Sequence, residues 1–163
     1  MVSPQSAEGG PHFHHAVTGP LQLYGFGVAE LLAFYGTLMS GLPARAGRPA
    51  LAPYVELVGP CSIPGSLYDV GPYPALVLGD GVVRGELWRT VALDALSVVD
   101  AWEGYEFERE NQAPYVRRSV RLLEPALDAW VYAWNQPLDG LAHIESGDWR
   151  AHFEATPPAW ARA

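Results

Sequence analysis

A single cysteine, Cys61, stands in the sequence without a C-x-x-C neighbour. That excludes an internal disulfide and a paired-thiol redox motif, and a lone thiol of this kind is expected to serve as a small buried hydrophobe. Basic residues are also scarce. Ten Lys plus Arg stand against eighteen Asp plus Glu, a formal net charge of −8, so nothing resembles a phosphate-binding surface and nucleic acid is not expected as a partner. No apolar run approaches the roughly 18 residues that a membrane helix requires, and the N-terminus lacks the basic-then-apolar pattern of a secretory signal. A cytoplasmic location with no membrane association is the expectation that follows. Dinucleotide binding is set aside too, because Gly25-Phe26-Gly27 is only half of a G-x-G-x-x-G loop, Glu30 replaces the third glycine, and no strand is expected ahead of it. His12, His14 and His15 lie close together, but three histidines in a polar arm, with no Cys beside them, do not make a metal site. No Ser-His-Asp pattern and no phosphate loop is present.

What is present fits one domain. A chain of 163 residues can bury a sizeable core, and 49% hydrophobic content with 15 Pro and 17 Gly indicates a compact, turn-rich fold. Residues 1–29 read as a flexible N-terminal extension, 30–155 as the folded domain, and 156–163 as a C-terminal tail. Over 41–53 a short irregular helix broken near Pro49 is expected. An extended segment from Tyr54 to Ile63 leads to a turn at Pro64-Gly65, and a second turn follows at 71–74. The runs 75–78 and 82–88 then read as two strands joined by a hairpin at Gly79-Asp80-Gly81. Over 90–103 apolar residues recur at three- and four-residue intervals, which predicts a helix stopped by Gly104. Two alternating segments, 115–122 and 127–134, predict a second antiparallel pair. A helical turn and a loose end close the chain.

Two stretches can carry chemistry. The apolar run Leu31-Leu32-Ala33-Phe34 ends at Tyr35-Gly36-Thr37-Leu38, so a buried strand gives way to a turn. That turn is either a plain tight turn or a loop whose backbone N–H groups receive an oxyanion or carboxylate. Nearly seventy residues later Glu103 falls in the last turn of the predicted helix, where a negative charge opposes the helix dipole at a cost of roughly 0.3–1 kcal/mol. Asp100, three residues earlier on the same face, adds like-charge repulsion. Both effects raise a carboxyl's pKa toward the range of general acid/base work. The alternative is a solvated glutamate at a frayed helix end.

Six motifs, in order, carry a resemblance: Phe34-Tyr35-Gly36-Thr37-Leu38; Gly65-Ser66-Leu67-Tyr68-Asp69 with Tyr73-Pro74-Ala75; Val83-Arg84-Gly85-Glu86-Leu87-Trp88; the helix ending Asp100-Ala101-Trp102-Glu103-Gly104-Tyr105; Tyr115-Val116-Arg117-Arg118; and Ala129-Trp130-Val131-Tyr132. Together they resemble the γ-glutamylcyclotransferase superfamily over about Leu31 to Trp149. The likeness is to its bacterial γ-glutamylamine-cyclotransferase-like branch, also called avirulence-induced-gene-like, more than to the branch dedicated to glutathione breakdown. The resemblance implies an α+β fold, a small mixed or antiparallel β-barrel with one or two helices packed outside. It also implies a substrate loop at Tyr35, Gly36, Thr37 and Leu38 facing Glu103 as catalytic acid/base. Tyr115 and Tyr132 match aromatics kept near the pocket, although strand tyrosines serve equally well as core or barrel rim.

The chemistry so implied is intramolecular. The α-amine of a γ-glutamyl compound attacks the side-chain carbonyl, closes a five-membered lactam and expels the amine beyond it. Glu103 would take a proton from the α-ammonium and return one to the leaving nitrogen. Backbone N–H groups of the loop would meet the developing oxyanion, each donor being worth roughly 3–4 kcal/mol in other enzymes. No cofactor and no metal is required, and the expected partner is a small γ-glutamyl substrate. Three glutamates at 106, 108 and 110 argue against a second carboxylate on that substrate, as in glutathione. Two rival readings remain open: a non-catalytic module that binds γ-glutamyl ligands in the same pocket, and a docking surface built from Trp130, Trp134, Trp149 and Trp160. Oligomeric state is left undetermined by the sequence.

Overall fold

The structure, a computed structural model, describes residues 21–24, 27–43 and 50–162. Its centre is strand β2 (Gly27–Phe34). Leu31, Leu32, Ala33 and Phe34 are all buried, because both edges of this stretch are paired and both faces covered, which is what a continuous apolar run specifies. Strand β1 (Leu21–Tyr24) pairs antiparallel with the start of β2. Regular strand pairing therefore begins ahead of the boundary expected at residues 29 and 30. The polar arm before residue 21, with its three histidines, lies outside the described residues.

Strands β3 (Val55–Asp69) and β4 (Pro74–Thr90) form one long antiparallel ribbon, with the 71–73 turn at its tip. Here two expectations are corrected. Pro64-Gly65 is not a turn, and 79–81 is not a hairpin connection. Gly65 pairs with Leu78 whereas Pro64 pairs with Val82, so residues 79–81 are extra residues bulged out opposite an irregularity of β3. Two sets of turn formers sit across from each other within one continuous pair, bending the ribbon without ending it. The runs 75–78 and 82–88 are consequently one strand.

After helix α1 (Ala95–Glu103) come a short 3₁₀ segment, Phe107–Gln112, and the expected antiparallel pair β5 (Tyr115–Arg121) and β6 (Asp128–Trp134). Strand β6 lies parallel to β2 through Leu32 and Trp130. A short strand not foreseen from the sequence, β7 (Ala142–Ile144), pairs with the end of β3. The order β5-β6-β2-β4-β3-β7 curls toward closure where Ser62 of β3 exchanges backbone hydrogen bonds with Leu123 and Glu124, just beyond β5. The α+β fold with a curled, mostly antiparallel sheet is as expected.

Two helices pack on the sheet. Helix α1 buries Ala95 and Val99 and is tied to β5 and β6 through Asp100. Helix α2 (Trp149–Ala155) is capped by Asp148, whose side chain accepts from the Ala151 amide, and buries Trp149 and Phe153. The expected loose end is corrected at Trp160, whose indole donates to the Pro72 carbonyl at 3.2 Å. The helix expected over 41–53 falls mostly outside the described residues, and its described ends are turns. Cys61 is buried, and burial with the nearby Glu86 pushes its thiol up to about 12. Trp130 and Trp149 are buried and Trp134 and Trp160 are half-buried, so these four rings do not form an exposed docking patch. No helix among the described residues is long and apolar enough to cross a membrane.

Candidate active site

Beyond Phe34 the chain leaves the sheet and turns back on itself, with the Met39 amide donating to the Gly36 carbonyl at 3.0 Å. Gly36 is required sterically: a Cβ there would lie 2.8 Å from Cγ of Pro74, closer than real side chains approach. Removing the side chain lets the loop press against the tip of the β3–β4 ribbon. One wall of a cavity of about 430 Å³ is thereby formed from residues 35–38 and the other from Pro72, Tyr73 and Pro74.

The far wall is the end of α1. Gly104 adopts φ 68° and stops the helix, with the Tyr105 amide closing onto the Asp100 carbonyl at 2.9 Å. This stop leaves Trp102, Glu103 and Gly104 lining the cavity opposite the loop. All seven residues singled out from the sequence, Tyr35, Gly36, Thr37, Leu38, Glu103, Tyr115 and Tyr132, border this one space. Lining residues that the sequence reasoning passed over include Tyr73 and Trp102; both stood inside quoted motifs, and their adjacency to Pro74 and Glu103 was the available signal.

The carboxyl of Glu103 is pushed up to about 8, first by burial and second by the negative charge of Asp100. The sequence anticipated the Asp100 effect, but burial leads, and burial is a tertiary property. Among the described residues no hydrogen-bond donor meets the Glu103 carboxyl. Asp100, one turn back, differs: it accepts from the Tyr132 hydroxyl at 2.7 Å and from Nη1 of Arg117 at 2.7 Å. Burial raises its pKa as well, while those two partners pull it down.

The three tyrosines that line the cavity are held by their hydroxyls. Tyr35 donates to the Tyr132 carbonyl, Tyr115 donates to the Pro74 carbonyl at 2.7 Å, and Tyr132 donates to Asp100. All three hydroxyls have their pKa raised, burial being the main cause. They are neutral at physiological pH. The acidic loop is less negative than its composition suggests, since Glu106 pairs with Arg109 at 3.6 Å and Glu110 with Arg118. Among the described residues no cluster of three or more His, Cys, Asp or Glu could hold a metal ion.

Residues 32–151 match the family model described as Gamma-glutamyl cyclotransferase, AIG2-like. The Gamma-glutamylcyclotransferase family protein YtfP of Escherichia coli K12 is 38% identical over 95 residues, 58% of this chain and 76% of that protein. The solution structure of YtfP from Escherichia coli superposes with a TM-score of 0.53 at 32% identity, covering 73% of this chain and 95% of that one. An AIG2-like protein from mouse shares the fold, with a TM-score of 0.54 at 20% identity over 72% of this chain and 86% of the other. The chain belongs to the γ-glutamyl cyclotransferase, AIG2-like family.

Proposed function

We propose that this member of the γ-glutamyl cyclotransferase, AIG2-like family releases 5-oxoproline and an amine from a γ-glutamyl amide, with Glu103 as general acid/base. The observation that carries the reading is the meeting, across one cavity, of a half-buried carboxyl pushed up to about 8 with residues 36–38. The family implies a small-molecule substrate, and the cavity volume suits one.

In the reaction the glutamyl head group lies along the 35–38 loop. Its α-ammonium gives a proton to the Glu103 carboxylate, and the freed nitrogen lone pair bonds to the γ-carbonyl carbon. The carbonyl oxygen takes on negative charge and is met by loop N–H groups. Collapse of this intermediate breaks the bond from the carbonyl carbon to the leaving nitrogen, which receives the proton from Glu103. The ring nitrogen gives up its second proton through the same carboxylate to the departing amine, which leaves as an ammonium. One C–N bond forms, one breaks, and no net proton is consumed. A carboxyl near 8 is suited to both transfers, because its two forms are close in free energy at working pH. Tyr73, Trp102 and Tyr115 give the leaving group an apolar and aromatic wall.

The test is 5-oxoproline release by the purified protein from a panel of γ-glutamyl amines and γ-glutamyl dipeptides, beside Glu103→Gln. The wild type is expected to turn over at least one of them, with the variant reduced by about 10²–10⁴-fold, the usual contribution of general acid/base catalysis. Thermal stabilisation by these ligands without turnover would leave only a binding module, and full activity in the variant would remove Glu103 from the mechanism.

A further inference from the structure

Glu86 lies outside the cavity, yet it gathers more donors than any other carboxylate described above. It stands on β4 with its side chain 14% exposed. One oxygen accepts from the Ser40 backbone amide at 2.7 Å and from the Trp88 indole at 3.3 Å. The other accepts from the Ser40 hydroxyl and from Nη2 of Arg150 at 3.0 Å. A carboxylate with two oxygens satisfied in this way is fixed in position.

What it fixes is the loop. Phe34 precedes the 35–38 segment and Ser40 follows it one residue on, after Met39, and the Gly85-Glu86 pair holds both. Phe34 is paired with Glu86 in the β2–β4 register, and a Cβ on residue 85 would lie 2.7 Å from the Phe34 carbonyl oxygen, so only glycine lets the strands meet there. The Glu86 side chain then reaches past Phe34 to the other end and pins the Ser40 amide. Arg150 brings α2 onto the same carboxylate.

We propose that Glu86 is a positioning residue, which sets the geometry of the Tyr35–Leu38 loop by clamping its exit at Ser40 while the backbone beside it clamps its entry. The proposal rests on the reading of that loop as the substrate site, but its structural half can be tested alone. Amide hydrogen exchange over residues 36–40 is measured in the full-length wild type, Glu86→Ala, Glu86→Gln and Glu86→Asp, together with kcat and KM for the best γ-glutamyl substrate. In Glu86→Ala the Ser40 amide is expected to exchange at least tenfold faster, and kcat/KM to fall at least tenfold per folded molecule. The side-chain amide of Gln has the reach but only one acceptor oxygen, whereas Asp is one methylene short. The order of retained kcat/KM should be Glu, Gln, Asp, Ala, and Asp ahead of Gln would show that charge matters and placement does not.

A merely stabilising residue would lower Tm and leave kcat, KM and loop exchange of the folded protein unchanged, which overturns the proposal. Should Glu86→Ala fail to fold, Ser40→Ala and Glu86→Gln give the same two readouts, with smaller rises in exchange supporting the clamp and unchanged exchange refuting it. A wild type that releases no 5-oxoproline defeats the functional reading, and the exchange data then decide the role of Glu86 by themselves.

Discussion

Asp100 and Glu103 stand one turn apart on α1, both acidic and both raised by burial. Their surroundings separate them. Tyr132 and Arg117 hydrogen-bond the Asp100 carboxylate and draw its pKa back down. Glu103 faces the cavity, meets no such donor among the described residues, and carries the added repulsion of Asp100. A carboxylate that has its partners is committed to structure; one held close to neutral, with an open space in front of it, is available to exchange a proton with whatever enters.

The largest expected effect breaks this contrast at Glu103. Its folded pKa, about 8, lies above the value of roughly 4.3 for an unfolded chain. The folded state therefore binds the proton more tightly, a contribution fully present below the unfolded value and lost as pH rises through about 8. Glutamine at this position titrates nothing. Glu103→Gln should therefore be more stable than wild type, with a Tm gap that widens steadily from pH 5 to pH 8 and then levels, reaching several degrees. Paired thermal unfolding at pH 5, 6.5 and 8 checks this, and a constant gap would mean that the carboxyl is not raised.

Asp100→Asn sharpens the contrast from the other side and has a smaller effect. With Oδ1 toward Arg117 and Nδ2 donating to the Tyr132 hydroxyl oxygen, the side-chain amide keeps both contacts, so the fold should persist, but the charge that raises Glu103 is gone. The rising limb of log kcat/KM that reports Glu103 ionisation should move to lower pH, with activity at pH 7 changed by about two- to fivefold. A limb left in place would show that burial alone sets the Glu103 pKa.

Much of this contrast could be seen in the sequence, and the limits have physical causes. The 31–34 run, the turn at Tyr35-Gly36, the helix stop at Gly104 and the Asp100–Glu103 spacing are local patterns, and local patterns survive without coordinates. Burial of Glu103 depends on which strands curl over it, so the helix dipole and Asp100 were the only causes open to sequence reasoning. Likewise Pro64-Gly65 and Gly79-Asp80-Gly81 each carry turn chemistry; only their juxtaposition across the β3–β4 pair makes them a bulge. Glu86 drew no functional reading because its meaning lies in Ser40 and Arg150, 46 and 64 residues away.

The smallest expected effect concerns Tyr115, which lines the same cavity as Glu103 but shares the condition of Asp100. Its hydroxyl donates to the Pro74 carbonyl at 2.7 Å and is buried, so it is committed to holding β5 against the tip of the β3–β4 ribbon. Tyr115→Phe keeps the ring, its edge contact with Tyr73 and that with Trp134, and loses one neutral hydrogen bond. The cost should be about 0.5–1.5 kcal/mol, visible as a Tm lower by a few degrees, with kcat/KM within about threefold of wild type. A hydroxyl that hydrogen-bonds substrate would behave otherwise, since its removal strands a polar group of the bound ligand and costs tenfold or more. Steady-state kinetics beside thermal unfolding separates the two. A stable Tyr115→Phe with a tenfold loss of kcat/KM would move Tyr115 from the wall of the site into its chemistry, and the division between partnered and unpartnered groups would no longer sort this cavity.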